Sequence, residues 1–403
     1  MRMMHLYPEP SLRVGDRVRR SCRIERRTGE RVESSELLWF DMIPDHPSPD
    51  DNDAESYLLA TLLLSMKEGR TLVVHGAVTH ELASNLTEYR DIWSSCLAHL
   101  YQEVDFEITR VVEGAVARRE AICAFSGGVD STFSLWSHAG RNNGYRSQTV
   151  TYGVMVHGLD ILLAEERAFA RAFARAAGTL RSMGIPLLQV RTNLRDLVPV
   201  NWEHLSGPAL VASLGCYKGL AGVAIIGAGQ TYGSFLVPWG TNALMDPLLT
   251  SGWFQVLHDG AARSRSQKLS AIAEWEEGFN SLRVCWEGPT TDRNCGQCEK
   301  CLRTLLNLKL EGLRLPDSFP EVDDLSPGIR KLRLTSPMVH AEWSDLFAAA
   351  NRRRIREPWV RAVRLLLVRR AFRGLGPQML NTILPPGSVR RRRAKALLTL
   401  GRG

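Results

Sequence analysis

The sequence predicts an α/β protein with a doubly wound parallel sheet, an N-terminal α+β domain and a basic helical C-terminal region. Short apolar runs alternate with amphipathic stretches between about residues 118 and 310, as in parallel strands joined by crossover helices. A glycine turn follows the first apolar run, and a cysteine cluster lies near the end of this region. We therefore place domain boundaries at 1–112, 113–315 and 316–403.

The first 112 residues combine strand-like and helical patterns. LLWFDMI (37–43) and RTLVVHG (70–76) predict strands, whereas ESYLLATLLLSMKEG (55–69) and the stretch from about His80 to Gln102 predict helices. This region carries no chemical motif that we recognise. We expect a structural or substrate-gating accessory domain.

The central region predicts a regular succession of strands and helices. The predicted strands are AICAF (121–125), TVTYGVMVHG (149–158), IPLLQVR (185–191) and GVAIIGAG (222–229), and the predicted helices are DSTFSLWSHAG (130–140) and LAEERAFARAFARAAGTLRSMG (163–184). Open parallel sheets bind ligands at the carboxyl ends of their strands. The turn after AICAF lies at such an end. Near 359–373, a further pattern predicts a basic helix.

The stretch CAFSGGVDST (123–132) predicts an anion-binding turn. Gly127 and Gly128 allow positive φ and close approach of a ligand, while Ser126 and Ser131 place hydroxyls beside the free amides of a helix start. A helix N-terminus attracts phosphate. The turn lacks the lysine of a Walker loop and differs from the dinucleotide pattern G-x-G-x-x-G.

Four of the eight cysteines, Cys285, Cys295, Cys298 and Cys301, lie within seventeen residues. Two consecutive C-x-x-C steps and a fourth thiolate can surround one ion. We favour structural zinc, because four thiolates leave no open coordination position. An iron–sulfur cluster and a redox pair are the alternatives.

Charge is distributed unevenly. The net charge is +8, yet residues 351–403 hold fifteen Lys and Arg against one acid, Glu357, which leaves residues 1–350 at −6. The basic region therefore indicates an anionic partner, such as nucleic acid or a membrane surface, docking on the protein's own acidic portion, or a solvated extension. The sequence predicts no signal peptide and no transmembrane segment, so we expect a cytoplasmic protein.

The turn Ser126-Gly-Gly-Val-Asp-Ser131 resembles the pyrophosphate loop of the ATP pyrophosphatase (PP-loop) superfamily. Together with the C…CGQCEKC cluster, it resembles the 7-cyano-7-deazaguanine synthase family over about residues 120–312. The resemblance implies a PP-loop fold that uses ATP, Mg²⁺ and Zn²⁺. It also implies adenylation of a carboxylate or amide oxygen of a small, deazapurine-like molecule, with release of pyrophosphate, followed by amidation or nitrile formation.

The resemblance also implies roles for individual residues. Ser126, Gly127, Gly128, Val129, Asp130 and Ser131 would bind pyrophosphate, with Ser126 and Asp130 in catalytic positions and Asp130 near Mg²⁺. Tyr152, Val154 and His157 would lie near the nucleotide, Gly227 and Asp246 near the substrate, and Lys268 near a phosphate or the acyl-adenylate. Glu165 would face the nucleotide or substrate.

Other residues leave alternatives open. His258 and Asp259 predict either a general base with its orienting carboxylate or a polar turn. Cys123 and Cys216 are core residues or persulfide carriers. Two other functions remain: modification of a nucleic-acid base, including thiolation, and nucleotide sensing or conjugation within a larger assembly. Ammonia would be free or delivered by another chain. The sequence leaves open whether the protein forms a homodimer or binds a partner protein.

Overall fold

The computed structural model describes residues 1–44, 46–115, 118–285, 288 and 291–373, with the backbone alone for 370–373. The end of the basic region, 374–403, lies outside the described residues. Strands are β1 Arg2–Val14, β2 Arg17–Thr28, β3 Arg31–Met42, β4 Thr71–Thr79, β5 Phe106–Val112, β6 Ala121–Ala124, β7 Val150–His157, β8 Leu187–Thr192, β9 Val223–Gly227 and β10 Gln255–Asp259.

Helices connect these strands and form the C-terminal region. They are α1 Glu55–Glu68, α2 His80–Cys96, α3 Val129–Ala139, α4 Glu166–Arg181, α5 Leu194–Leu197, α6 Trp202–Leu214, α7 Arg265–Ile272, α8 Glu276–Asn280, α9 Glu299–Glu311, α10 Ser326–Lys331, α11 Pro337–Arg352 and α12 Pro358–Arg373. Short 3₁₀ turns occupy Gly144–Arg146, Gly215–Tyr217 and Asp246–Leu249. None of the helices in the described ranges is long and apolar enough to cross a bilayer.

In the described regions of the chain, ten strands form one mostly parallel sheet, in the order β10-β9-β6-β7-β8-β3-β2-β1-β4-β5. The prediction of an α/β chain with a parallel sheet is therefore confirmed. The five strands β10 to β8 are all parallel. Strand β6 lies between β7 and β9. The chain therefore winds outward in both directions from β6, which makes the β6–β9 boundary the switch point of this half.

The N-terminal strands belong to the same sheet as the central ones. The last residues of β3 pair antiparallel with β8, with Phe40 opposite Thr192 and Met42 opposite Val190. The Asn193 side chain extends this junction by accepting from Trp39 N (3.0 Å) and donating to the Leu37 carbonyl (2.8 Å). The accessory region predicted for 1–112 is thus continuous with the central sheet.

Helices cover both faces of the central strands. Ile122 and Ala124 of β6 pack in a large core with residues of α1 and α6. Ala121 and Cys123, which point the opposite way, pack with residues of α4. Successive strand residues alternate between faces, so the apolar run AICAF contributes side chains to two hydrophobic cores.

Of two helices predicted from the sequence, one is shorter in the structure and the other is present as predicted. The helix predicted from His80 to Gln102 ends at Cys96, because the chain turns back there and Gln102 N donates to the Met66 carbonyl at the end of α1 (3.0 Å). The basic helix predicted near 359–373 is α12. It joins α9, α10 and α11 in a third core around the buried Trp343 and Trp359.

Candidate active site

The glycine turn between β6 and α3 forms a compact loop held by its own hydroxyls. Gly127 has a φ of 77°, a left-handed conformation that favours glycine. Ser131 Oγ accepts from Ser126 N (3.3 Å) and donates to the Gly128 carbonyl (3.2 Å), while Gly128 N donates to Ser126 Oγ (3.3 Å). These bonds fix the shape of the loop and place it at the N-terminus of α3, where oriented amides attract anions.

The start of α3 passes directly over the end of β9. A Cβ on Gly227 would lie 2.6 Å from the Asp130 carbonyl oxygen and 3.0 Å from Ser131 N. Glycine is therefore required at Gly227 for this close approach. Because β6 and β9 flank the switch point, the loop lies where open α/β sheets bind their ligands.

Asp130, the acid of the turn, is held by two cations. Lys268 Nζ lies 2.8 Å from Oδ1 and Arg265 Nη1 lies 3.3 Å from Oδ2. Lys268 is buried and also donates to the Ala228 carbonyl. Burial by itself would raise the pKa of the Asp130 carboxyl, but the charges of Lys268 and Arg265 hold it at about 2. Asp130 is therefore ionised, and its side chain remains 26% exposed.

Arg283 holds the other side of the loop. Its backbone N donates to the Gly127 carbonyl (2.8 Å), and its Nε donates to the Ser126 carbonyl (3.2 Å). A further bond from Nη1 to the Thr291 carbonyl (2.9 Å) fixes the guanidinium. Burial lowers the pKa of Arg283, and the residue lines the cleft next to the turn.

This cleft, which we call the main cleft, has a volume of about 730 Å³, within the usual range for small-molecule sites. Its described wall includes Ser126, Asp130 and Ser131 of the glycine turn, but neither Gly127 nor Gly128. The ends of β7 and β9, the start of α9 and residues 331–339 also contribute to it. Among the described residues, its lining holds five cations and four acids: Arg283, Lys300, Arg303, Lys331 and Arg333 beside Asp130, Asp160, Glu203 and Glu299. Burial lowers the pKa of Lys300, and the nearby Arg265 and Arg303 charges act in the same direction. The main cleft is thus suited to an anionic ligand.

Apolar and amide groups complete the main cleft. Phe125, Val154 and Met155 line it beside the turn, and the indoles of Trp202 and Trp239 also contribute. Gln230 is buried, and its Oε1 accepts from Leu236 N (2.6 Å). Its Nε2 has no hydrogen-bond partner among the described residues. The Gln230 amide is therefore a donor available to a bound molecule.

A second cleft of about 440 Å³ meets the main cleft at the glycine turn. The described residues that line both clefts are Asp130, Gly229, Gln230, Arg303 and Met338. Arg265 and Lys268 lie in the second cleft, and Arg263, Arg352 and Arg353 extend its wall. Asp130 is therefore reached from two directions.

Three residues predicted near the loop or nucleotide serve mainly in packing. Val129 is buried in the core formed with α7 and α9. The Tyr152 ring meets the His46 ring edge-on, with centroids 5.8 Å apart. His157 stacks on Phe169, with centroids 4.3 Å apart, and its Nε2 lies 3.0 Å from the Leu162 carbonyl. Burial lowers the pKa of His157. Among the predicted adenine residues, Val154 is the one that lines the main cleft.

His258 and Asp259 form neither of the two arrangements left open by the sequence, since both lie in β10 and they do not pair with each other. Adjacent strand residues point to opposite faces, and His258 Nδ1 instead lies 2.7 Å from Asp246 Oδ2. Asp259 pairs with His138 on the other face, at 3.2 Å. Burial raises the pKa of Asp246, although its bond to His258 opposes this. Neither His258 nor Asp246 is among the described residues that line the two clefts.

Glu165 and two isolated cysteines are not among the described residues that line the two clefts. Glu165 accepts from Leu162 N (3.3 Å) and from Thr291 Oγ1 (3.3 Å). Cys123 and Cys216 are buried in core clusters. Burial raises the pKa of both thiols, that of Cys216 to about 11. Protonated, enclosed thiols are poor nucleophiles, which favours the core interpretation over persulfide transfer.

The four clustered cysteines converge as their spacing predicts. All four Sγ atoms lie within 4.8 Å of one another. The Cys285–Cys295, Cys285–Cys298 and Cys295–Cys301 separations are 3.5, 3.6 and 3.9 Å, close to the edge of about 3.8 Å in a tetrahedral site with Zn–S bonds of about 2.3 Å. Gly296, with a φ of 71°, allows Gln297 N and Cys298 N to donate to Cys295 Sγ. The cluster could bind a metal such as zinc.

The cluster leads directly into the main cleft. Cys298 is the N-cap of α9, and it lines the cleft together with Glu299 and Lys300. One turn later, Arg303 bonds Glu299 (2.7 Å) and pairs with Glu342 of α11. A metal at the cysteines would therefore hold the helix that carries Lys300 and Arg303.

No protein-family model matches this sequence, and no curated protein or solved structure is significantly similar to it. Arg283, Lys300, Arg303, Trp202 and residues 331–339 are among the cleft residues that sequence reasoning missed. One signal was present, since Lys300 lies between two cysteines of the motif. The contribution of residues 331–339 depends on the packing of α11 against α9, which no local pattern reveals.

Proposed function

We propose that the chain is an ATP-dependent enzyme of the PP-loop type, which transfers AMP to an acceptor oxygen and releases pyrophosphate. The observation that carries the proposal is the position of the glycine turn: at the end of β6, at the switch point of the parallel strands, and open to the main cleft. Gly127, Gly128 and the first amides of α3 would hold the β and γ phosphates.

The cations of the main cleft supply the charge that this reaction needs. An acceptor oxygen attacks the α phosphorus, the bond from that phosphorus to the bridging oxygen breaks, and pyrophosphate leaves with the bond electrons. Arg283, Lys300 and Arg303 line the cleft where this negative charge would develop. Fixed cations near a departing anion lower the barrier because they need no reorganisation.

Asp130 fits the expected position for Mg²⁺. Its carboxylate is ionised and partly exposed, and it borders both clefts. Each oxygen accepts one bond from a cation, which leaves lone pairs for a hard metal ion. When bound, the ion would neutralise phosphate charge, while Lys268 and Arg265 keep the carboxylate charged and in place.

The remaining groups of the main cleft fit a nucleobase and a flat acceptor. Val154, Phe125 and Met155 offer an apolar surface for adenine. Trp202, Trp239 and the free amide donor of Gln230 suit a purine-like acceptor that carries a carboxylate or amide oxygen. Ammonia would then displace AMP to form an amide, and a second activation of that amide would yield a nitrile. Gly227, the other residue predicted near the substrate, lines the main cleft beside the glycine turn.

The test is product analysis of ATP incubated with the protein, Mg²⁺ and ammonium. The acceptors are 7-carboxy-7-deazaguanine, simple carboxylates and bulk tRNA, with a no-acceptor control. AMP and pyrophosphate should appear in equal amounts and only with a suitable acceptor. ADP and phosphate as products, or AMP formation undiminished in Asp130→Ala, would contradict the proposal. Tight ATP binding without any AMP would favour the nucleotide-sensing alternative.

A further inference from the structure

Exposed arginines follow one another from the end of α11 along α12. We call this surface the arginine segment; it comprises Arg352, Arg353, Arg354, Arg356, Arg361 and Arg364, all of which are exposed. Arg361 and Arg364 lie three positions apart and therefore share one face of α12. At a rise of 1.5 Å per residue, Arg361 and Arg364 are separated by about 4.5 Å along the axis of α12, and Arg356 precedes the helix.

Most of these charges are not neutralised by the protein itself. Arg353 pairs with Glu311 (2.8 Å). The other five arginines form no ion pair within the regions of the chain that the structure describes. The acid inside the segment, Glu357, accepts from Trp359 Nε1 (3.0 Å). Such a row of unpaired guanidinium groups favours a polyanion as its partner.

The packing of α12 argues against a membrane as the partner of this surface. Amphipathic helices that bind bilayers insert an exposed apolar face between the lipids. In α12 that face is already buried in the core with α9, α10 and α11, through Trp359, Val360, Ala362, Val363 and Leu366. The exposed side of the helix therefore offers charge without apolar surface, which suits phosphates in solution.

The arginine segment also leads toward the reaction centre. Arg352 and Arg353 contribute to the wall of the second cleft, which Asp130, Gly229 and Gln230 also line. Its volume of about 440 Å³ is that of a small-molecule site. It can accept one unstacked nucleotide but not a duplex.

We propose that the arginine segment binds single-stranded nucleic acid through its phosphates, so that one nucleotide enters the second cleft. This inference deepens the proposed function by giving the site a polymeric ligand, and its link to catalysis rests on that function. The binding itself does not, because it needs neither ATP nor turnover. The tail beyond Arg373 adds positive charge in sequence, so the test keeps the full chain and changes only the segment.

The experiment compares wild type with full-length Arg361→Gln/Arg364→Gln by fluorescence anisotropy. The probes are labelled 20-nucleotide single-stranded RNA and DNA and the matching duplex, between 50 and 200 mM salt. Arg13→Gln/Arg31→Gln, two exposed arginines of the N-terminal strands, is the matched control. We expect the segment variant to bind single strands about tenfold more weakly and its log–log salt slope to fall by about 1.4. The control should bind like wild type.

Several outcomes would overturn the inference. One is that wild type binds the probes without salt dependence, and another is that the segment variant binds them with the affinity of wild type. The others are that the control variant loses as much affinity as the segment variant, and that wild type binds duplex more tightly than single strands. Loss of binding to phosphatidylserine vesicles, with nucleic-acid affinity unchanged, would assign the surface to membranes. AMP formation with a small acceptor should persist in the segment variant, which separates failure of this inference from failure of the adenylation proposal.

Discussion

At the scale of single residues, Gly227 gives the sharpest test of the glycine turn. A Cβ there would meet the Asp130 carbonyl at 2.6 Å, whereas a Cβ on Gly178, exposed on α4 and outside both clefts, meets nothing within 4 Å. We predict that Gly227→Ala displaces the turn and lowers AMP formation at least about tenfold, while Gly178→Ala stays close to wild type.

Steady-state rates and ATP titrations of both variants check this prediction. The Gly227→Ala protein should still unfold cooperatively, because the displaced backbone is confined to the start of α3. Comparable activity in the two alanine variants would mean that the turn does not bind the nucleotide, or that the turn can shift without loss of activity.

The pKa of Asp130 gives a second residue-scale prediction. That pKa is about 2 in the folded protein, against an ordinary 3.8, because Lys268 and Arg265 outweigh burial. A carboxyl whose pKa is lower in the folded than in the unfolded chain stabilises the fold at any pH above the ordinary pKa. This contribution to the free energy of unfolding disappears as the pH falls through the pKa of the folded state. Asp130→Asn should therefore lose about 2 kcal/mol of unfolding free energy at pH 7, and the difference from wild type should shrink from about pH 4 toward pH 2.

Urea unfolding across this pH range measures the effect. Asp317→Asn is the control, since the Asp317 side chain is 80% exposed and should change stability little at any pH. A difference between Asp130→Asn and wild type that stayed constant from pH 7 to pH 2 would show that the Lys268 and Arg265 pairs do not hold the carboxylate charged.

At the scale of elements, α9 depends on the cysteine cluster at its start. Cys298 caps the helix and Cys301 lies in its first turn. We predict about one zinc ion per chain, and Cys298→Ser should reduce metal content and lower the free energy of unfolding by roughly 3 kcal/mol. Metal analysis and urea unfolding test this, with Cys96→Ser as control because Cys96 is exposed and distant in sequence. Full metal retention in Cys298→Ser would contradict a four-thiolate site.

Elements also show what the sequence can and cannot predict. Strand β6, its turn and α3 were predictable because an apolar run, two glycines and a helical pattern are contiguous, and the cysteine site was predictable from spacing alone. The Asp246 partner of His258 was not, because it lies on a separate 3₁₀ turn twelve residues away. Arg283 and Arg303 likewise reach the cleft only through tertiary packing, which single-sequence patterns do not encode.

At the scale of the whole molecule, a buried group of charges joins the N-terminal strands to the central sheet. Lys218, after α6, lies 2.6 Å from Asp53 and 2.7 Å from Glu55 at the start of α1. Arg20 of β2 lies 3.7 Å from Asp53. Both carboxylates are buried, so they depend on these cations. Together with the β3–β8 pairing, this group leads us to expect that residues 1–112 and the central strands unfold as one cooperative unit.

The last prediction follows from that arrangement. Lys218→Met leaves Asp53 with a longer contact to Arg20 and Glu55 without a cation, and removing one partner of a buried ion pair costs about 3 to 5 kcal/mol. Because β3 and β8 belong to one sheet, hydrogen exchange should show equal loss of protection in both strands. Lys309→Met is the control, since Lys309 is exposed on α9. Loss of protection in β3 alone, with β8 unchanged, would show that the N-terminal strands unfold independently of the central strands.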